Sequence, residues 1–329
     1  MRALLIACVL VSLPVRGAPG DELYTRPGQL VPADGTRLNL YCMGTGSPAV
    51  VFDSGWEDWA PVWTLVQPQV AKWTRACSYD RAGAGFSEAG PMPRTSTRIA
   101  DELHHALRNA GITGPYILVG HASGGDNVRT YADRYLEDVA GLVLVEADVG
   151  APVEERSDPQ HIAELRACRD AIAAEHGAAP RVARPSGPSR SCTHQFFRGL
   201  PEPVWSAELN ATLLKIAQDK PALYDAYASE MEQMPANEAY LAHNRRSLGA
   251  RPLRVLSTGN HGIGTFDPNR QKNAKQQKFQ QDVIQAQARW LELSSDSRQI
   301  FAERSSEYLP FDQPELVVGA IREVFEAAH

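Results

Sequence analysis

Short apolar runs that end at Gly, Asp or Glu punctuate the first half of the chain. They are Ala49-Val50-Val51-Phe52, Ala76-Cys77-Ser78-Tyr79, Tyr116-Ile117-Leu118-Val119 and Leu142-Val143-Leu144-Val145. Helical patterns such as Thr97 to Asn109 lie between them. Runs this apolar suit strands covered on both faces, and their alternation with helices predicts a buried parallel sheet with crossover helices. Upstream, Gln29 to Cys42 reads as two extended segments around Asp34-Gly35, a hairpin turn signal.

After Val149 the pattern changes to charged helical periodicity with a Pro/Arg/Ser-rich segment from Ala179 to Ser191, and no strand is expected before Leu253. Residues 151–248 are therefore expected to form a mainly helical cap inserted between two parts of one core, 18–150 and 249–329. Strand character returns in Leu253 to Ser257 and in Arg298 to Ala302, with a long polar helix expected from about Arg270 to Leu293. A closing helix is expected over Gln313 to His329, where Pro314 suits a first turn and Leu316, Val317, Ile321 and Phe325 share one face.

The composition, 43% apolar and 22% charged, is that of an ordinary globule. A net charge of −6 supplies no broad basic surface, so neither nucleic acid nor an anionic membrane is favoured as partner, and a small molecule is expected. Met1-Arg2, the apolar run Ala3 to Leu13 and the small residues up to Ala18 have the layout of a secretory signal peptide, residues 1–17. Secretion or a periplasmic location is the expectation. Removal of that segment takes Cys8 with it and leaves Cys42, Cys77, Cys168 and Cys192. An even number of cysteines in an oxidising compartment predicts two disulfides. Each sequence-adjacent pair falls within one region of the chain, which favours Cys42 with Cys77 and Cys168 with Cys192. No C-x-x-C or close His pairing suggests a metal.

The segment Tyr116-Ile117-Leu118-Val119-Gly120-His121-Ala122-Ser123-Gly124-Gly125 leads from a strand into a helix expected from about Asp126 to Tyr135. It resembles the nucleophile elbow, G-x-S-x-G, of the α/β-hydrolases, a strained turn that lifts the nucleophile out of the sheet. Tyr79-Asp80-Arg81-Ala82-Gly83-Ala84-Gly85-Phe86-Ser87 is similar to that family's D-R-x-G-x-G-x-S segment, and Asp312-Gln313-Pro314-Glu315-Leu316-Val317 resembles the approach to its last helix. Together these imply an α/β-hydrolase fold over nearly the whole mature chain. Gly120 and Gly124 take the glycine places, so Ala122 stands at the nucleophile place, and a methyl group attacks nothing. Natural loss of activity and deliberate trapping of a ligand would both leave an alanine there. Asp126 after Gly125, in place of a Lys, speaks against a phosphate-binding loop.

By the same resemblance, the backbone N–H groups of Ser123 and of Trp56, in Asp53-Ser54-Gly55-Trp56, are the candidate oxyanion donors. His121 is expected to line the pocket beside the elbow. The family's general base follows the last strand, and here that loop reads Arg304-Ser305-Ser306-Glu307-Tyr308, which puts Glu307 at the base place. A carboxylate near its usual pKa of about 4.3 is poorly matched to deprotonating a serine at neutral pH, so restoring serine alone is expected to return little activity. His261, after the Leu253 strand, is the substitute base, and the remaining histidines, His104 among them, are expected to be mostly solvated. For the acid, Glu146 at the end of the fourth apolar run comes first, then Asp267 and Asp148.

What the resemblance implies is an esterase-type serine hydrolase for a small ester-like substrate, needing no cofactor and inactive in this form. The alternative is a non-catalytic binding protein on the same fold. Phe196, Phe197, Trp205, Tyr224 and Tyr227 of the cap are candidate pocket residues that could equally be cap core.

Overall fold

A computed structural model of the chain describes residues 20–147, 157–177, 192, 204–261 and 266–328. The apolar runs become strands β3 (Ala49–Asp53), β4 (Ala76–Asp80), β5 (Tyr116–His121), β6 (Val139–Val145) and β7 (Leu253–Thr258). Their side chains alternate between two cores. Val50, Phe52, Ile117, Val119, Val143 and Val145 fill one face of the sheet, while Val51, Leu118, Leu142 and Leu144 fill the other. Burial on both faces is why these strands read as unbroken apolar runs instead of a polar/apolar alternation.

β1 (Gln29–Ala33) and β2 (Thr36–Met43) form the hairpin, and β8 (Ser297–Ala302) closes the far edge. The sheet order is β1-β2-β4-β3-β5-β6-β7-β8. β1 and β2 run antiparallel, as does the β2–β4 pair, and the rest is parallel. Cys42 and Cys77 stand directly opposite each other in the β2–β4 ladder and are disulfide-bonded. Cys168 bonds Cys192.

Helix α1 (Ser96–Asn109) begins on Thr95, whose hydroxyl accepts the Arg98 N–H. Helix α2 (Ser123–Arg134) follows β5 after the single residue Ala122 and starts three residues earlier than the sequence suggested. The Gly125 N–H bonds the Ala122 carbonyl at 2.9 Å, so the glycines are already in the first turn. Between β6 and β7 lie α3 (Pro159–Gly177), α4 (Ala207–Asp219) and α5 (Pro221–His243). The long helix expected over Arg270 to Leu293 is α6, Ala274–Ala288, followed by a tighter 3-10 turn over Arg289–Leu293. Its start is set by Asn273 and Gln276, which cap each other's backbone N–H groups. The final helix, α7 (Pro314–Ala327), packs Val317, Ile321 and Val324 into the core. His104, one of the histidines expected to be mostly solvated, is buried in α1, with its ring stacked 3.9 Å from that of Tyr135.

The register aligns Asp53 with Gly120 and His121 with Val145, so β3, β5 and β6 end together at one edge. At the neighbouring β4-β3-β5 arrangement the strand order reverses, which opens a crevice outside the carboxyl ends where open α/β sheets place their ligands. The expected signal segment 1–17 and Asp148, Phe196 and Phe197 lie outside the described residues. Among the described residues no helix is long and apolar enough to cross a membrane.

Candidate active site

Ala122 sits between β5 and α2 with φ 46° and ψ −123°, a conformation that L-residues rarely adopt. Its surroundings impose it. A Cβ on Gly120 would lie 2.5 Å from the Gly124 carbonyl oxygen, and one on Gly124 would lie 2.5 Å from that of Asp53. The Ala122 N–H bonds the Val145 carbonyl at 3.1 Å, which fixes the elbow against the neighbouring strand. Ser123 opens α2, and its buried hydroxyl makes no hydrogen bond within the described structure.

Opposite the elbow runs the loop after β3. A Cβ on Gly55 would stand 3.2 Å from each of three atoms: Ala122 Cβ, Asp58 Oδ2 and His121 Nδ1. Only a glycine leaves that meeting point open. Trp56 donates its indole Nε1–H to the Tyr227 carbonyl at 3.0 Å, which ties this loop to α5. Tyr224, Tyr227 and Trp205, between β6 and β7, are buried in the same core as Phe52 and Val119 of the sheet.

Arg81, from the Asp-Arg segment, fixes the same loop from below. It donates to the carbonyls of Ser54 at 2.7 Å and Gly55 at 2.8 Å, pairs with Asp53 at 2.9 Å and meets Glu230 of α5 at 3.0 Å. Burial pulls against the guanidinium charge, but Glu230 and Asp53 outweigh it and hold Arg81 well above its ordinary pKa. Asp53, pushed up by burial against the pull of Arg81, titrates at about 6. Asp80 accepts the Ala60 and Phe86 N–H groups. The Asp-Arg segment thus builds the loop that faces the elbow.

His121 is 2% exposed, and its Nε2 lies 3.0 Å from the Glu307 carbonyl oxygen. A carbonyl only accepts, so in this contact Nε2 carries the proton. Nδ1 then faces Asp58, whose Oδ2 is 3.7 Å away. Burial raises the Asp58 pKa to about 7, opposed by Arg81 and reinforced by Glu307 and Glu57. Glu307 thus touches the His121 ring through its backbone, with its charge felt at Asp58. The contribution of Asp58 was not legible in the sequence, because its proximity to His121 exists only in the folded loop.

Glu146 follows Val145 with φ 45° and is 1% exposed. Its carboxylate accepts the Thr258 N–H at 2.6 Å and the Gln287 side-chain amide at 3.2 Å, and pairs with His261 Nδ1 at 3.0 Å. Gln280 of α6 grips the His261 backbone twice, at 2.8 Å each, accepting its N–H and donating to its carbonyl. The other described acid candidate does not join this group. Asp267 is exposed, and its carboxylate caps the N–H of Asn269 two residues on, a local turn contact that needs no partner in the site. Among the described residues no group of His, Cys, Asp and Glu is arranged to hold a metal ion.

Residues 48–171 match the family model described as alpha/beta hydrolase fold. The chain is 24% identical over 298 residues to an AB hydrolase superfamily protein of Gibberella zeae, covering 84% of this chain and 86% of that one. It is 26% identical over 296 residues to a protein of Hormonema carpetanum named as a probable transporter, efuK, covering 85% of this chain and 40% of that one. The chain spans less than half the length of the first curated relatives it matches. Among solved structures it is similar to a thermophilic esterase from Thermogutta terrifontis, at 20% identity and a TM-score of 0.61 over 92% of this chain and 98% of that one. A mostly parallel sheet in this strand order, an elbow at the end of β5 and these matches lead to one conclusion: the chain has the α/β-hydrolase fold.

Proposed function

We propose that this chain carries the site of an esterase-type serine hydrolase for a small ester-like molecule and holds that molecule without cleaving it. The observation that carries the reading is Ala122, which keeps the elbow backbone but has no atom able to attack a carbonyl. The Ser123 and Trp56 N–H groups remain the proposed oxyanion donors, His121 a proposed pocket wall and Glu146 the proposed acid. No cofactor is invoked, since acyl transfer needs only nucleophile, base and donors. Two disulfides suit an oxidising compartment, in keeping with a secreted or periplasmic protein, and a net charge of −6 favours a small molecule over nucleic acid or an anionic membrane.

The test is calorimetric titration and hydrolysis of short-chain aryl esters by the unchanged chain, Ala122→Ser, Glu307→His and the double variant at neutral pH. Binding without turnover by the unchanged chain, and turnover by the double variant, are expected. Turnover by the unchanged chain at an enzymatic rate would overturn the reading of the elbow. Binding by all forms with turnover by none would favour the second reading, a binding protein that never hydrolysed esters.

A further inference from the structure

The sequence put Glu307 where the resemblance expects the base, while the strand beside the elbow strand ends in an acid–imidazole hydrogen bond between Glu146 and His261. We infer that His261 is the general base of this site and Glu146 its positioning residue, so the chain lacks a nucleophile and nothing else of its triad. This rests on the esterase reading above and deepens it by naming the proton carrier.

Four observations carry the inference. Glu146 is the residue after Val145, whose carbonyl accepts the Ala122 N–H, so the acid begins one residue from the elbow's own anchor. Its carboxylate already has two other donors, the Thr258 N–H and the Gln287 amide. Those contacts aim Oε1 at His261 Nδ1 and fix the ring by the nitrogen a catalytic imidazole offers to its acid. Gln280 clamps the His261 backbone on both sides, so the imidazole is held at both ends, as a preorganised base requires.

The fourth observation is a chain of contacts that links the β7 loop to the residue before Ala122. Thr258 Oγ1 and Asn260 Nδ2 both donate to the Ser305 carbonyl, at 2.6 and 2.7 Å. Two residues on, the Glu307 carbonyl meets His121, the neighbour of Ala122. The loops after β7 and β8 are therefore stitched together over the same edge, and the imidazole, 18% exposed, is supplied from the β7 loop. With serine at position 122, His261 Nε2 would take the hydroxyl proton as the oxygen bonds the acyl carbon. It would return that proton to the departing alkoxide as the ester C–O bond breaks. Water, deprotonated the same way, would then release the carboxylic acid and regenerate the hydroxyl.

Labelling by a fluorophosphonate, followed by intact mass, reports whether a serine is activated, and aryl-ester hydrolysis reports turnover. The variants are Ala122→Ser, Ala122→Ser with His261→Asn, Ala122→Ser with Glu146→Gln, and Ala122→Ser with Glu307→His, each checked for folding by thermal melt. Ala122→Ser alone is expected to label and turn over. Adding His261→Asn is expected to lower both at least 100-fold, the usual contribution of a general base. Adding Glu146→Gln is expected to lower kcat at least 10-fold with KM unchanged, a split that loss of structure would not give.

If Ala122→Ser is inert while the Glu307→His double variant labels, the base belongs to the β8 loop and the inference is overturned, with the esterase reading intact. If Ala122→Ser is active and indifferent to His261→Asn, another group is the base and the inference again falls. If no folded variant labels, both readings fall.

Discussion

Arg81 of the sheet edge and Glu230 of α5 meet through two parallel contacts, Nε to Oε1 and Nη2 to Oε2, each 3.0 Å. Both side chains are almost fully buried, so the pair cannot be broken on one side without leaving a charge stranded. Glu230→Ala is expected to cost about 3–5 kcal/mol in urea denaturation. Glu88→Ala, which breaks the exposed pair with Arg37, should leave the urea midpoint unchanged. Equal effects would show that burial does not govern the Arg81 pair.

Asp58 makes stability depend on pH with a definite sign. Its pKa is about 7 in the fold against 3.8 as the ordinary value, so the folded chain holds a proton that the unfolded chain releases first. Stability from this group is complete below about pH 4 and is lost as pH rises through about 7. Asp58→Asn removes the loss, and its stabilisation should be largest at pH 8, with a ceiling of about 4 kcal/mol, and vanish at pH 4. Urea melts at the two pH values measure it, and a gain that did not vary with pH would contradict the assignment.

The two kinds of glycine in this chain should respond oppositely to a methyl group. Gly124→Ala forces a Cβ to 2.5 Å from the Asp53 carbonyl and 2.6 Å from that of Ser54, both backbone atoms. A loss of more than about 3 kcal/mol is expected, in the range of severe overpacking. Gly319, exposed inside α7, has nothing within 4 Å of the same position. Gly319→Ala should stabilise by about 0.5–1 kcal/mol through helix propensity. Thermal melts of the two variants moving in the same direction would rule this out.

His161 on α3 reaches Glu57 on the loop facing the elbow, Nε2 to Oε1 at 3.1 Å. The hydrogen bond to Glu57 raises its pKa against the effect of burial, with Glu164 and Asp158 adding to the rise. The contact therefore contributes fully below the ordinary value of 6.5 and is lost as pH rises through the higher folded value. Hydrogen exchange over Pro159–Gly177 should be slower at pH 5.5 than at pH 8, after correction for intrinsic rates. His161→Gln should abolish that difference, and its persistence would place the sensor elsewhere.

Much of this fold is legible in the sequence because five strands are buried on both faces and write themselves as apolar runs, as Val143 and Leu144 show by entering opposite cores. The elbow is legible because its glycines stand at a fixed spacing within one short segment, although the carbonyls that demand Gly124 belong to Asp53 and Ser54. The Glu146–His261 pair is not, since 115 residues separate its members and no local periodicity records the contact. Arg81 shows an intermediate case. Its motif marks the segment, but its partner Glu230 lies 149 residues on, in a helix whose pattern announces only that it is helical. The burial of His104 is hidden for a similar reason, as the tyrosine rings against it come from beyond α1.

Ala122 occupies a backbone shape that alanine does not prefer, at a cost of about 1–3 kcal/mol. The residue does not choose that shape. The packed carbonyls around Gly120 and Gly124 do. Form and reactivity at this turn are therefore inherited separately. Alanine and serine codons differ by a single nucleotide, so one point mutation exchanges a methyl for a hydroxyl here without touching the contacts that set the turn. Selection could make that exchange repeatedly without passing through a misfolded ancestor.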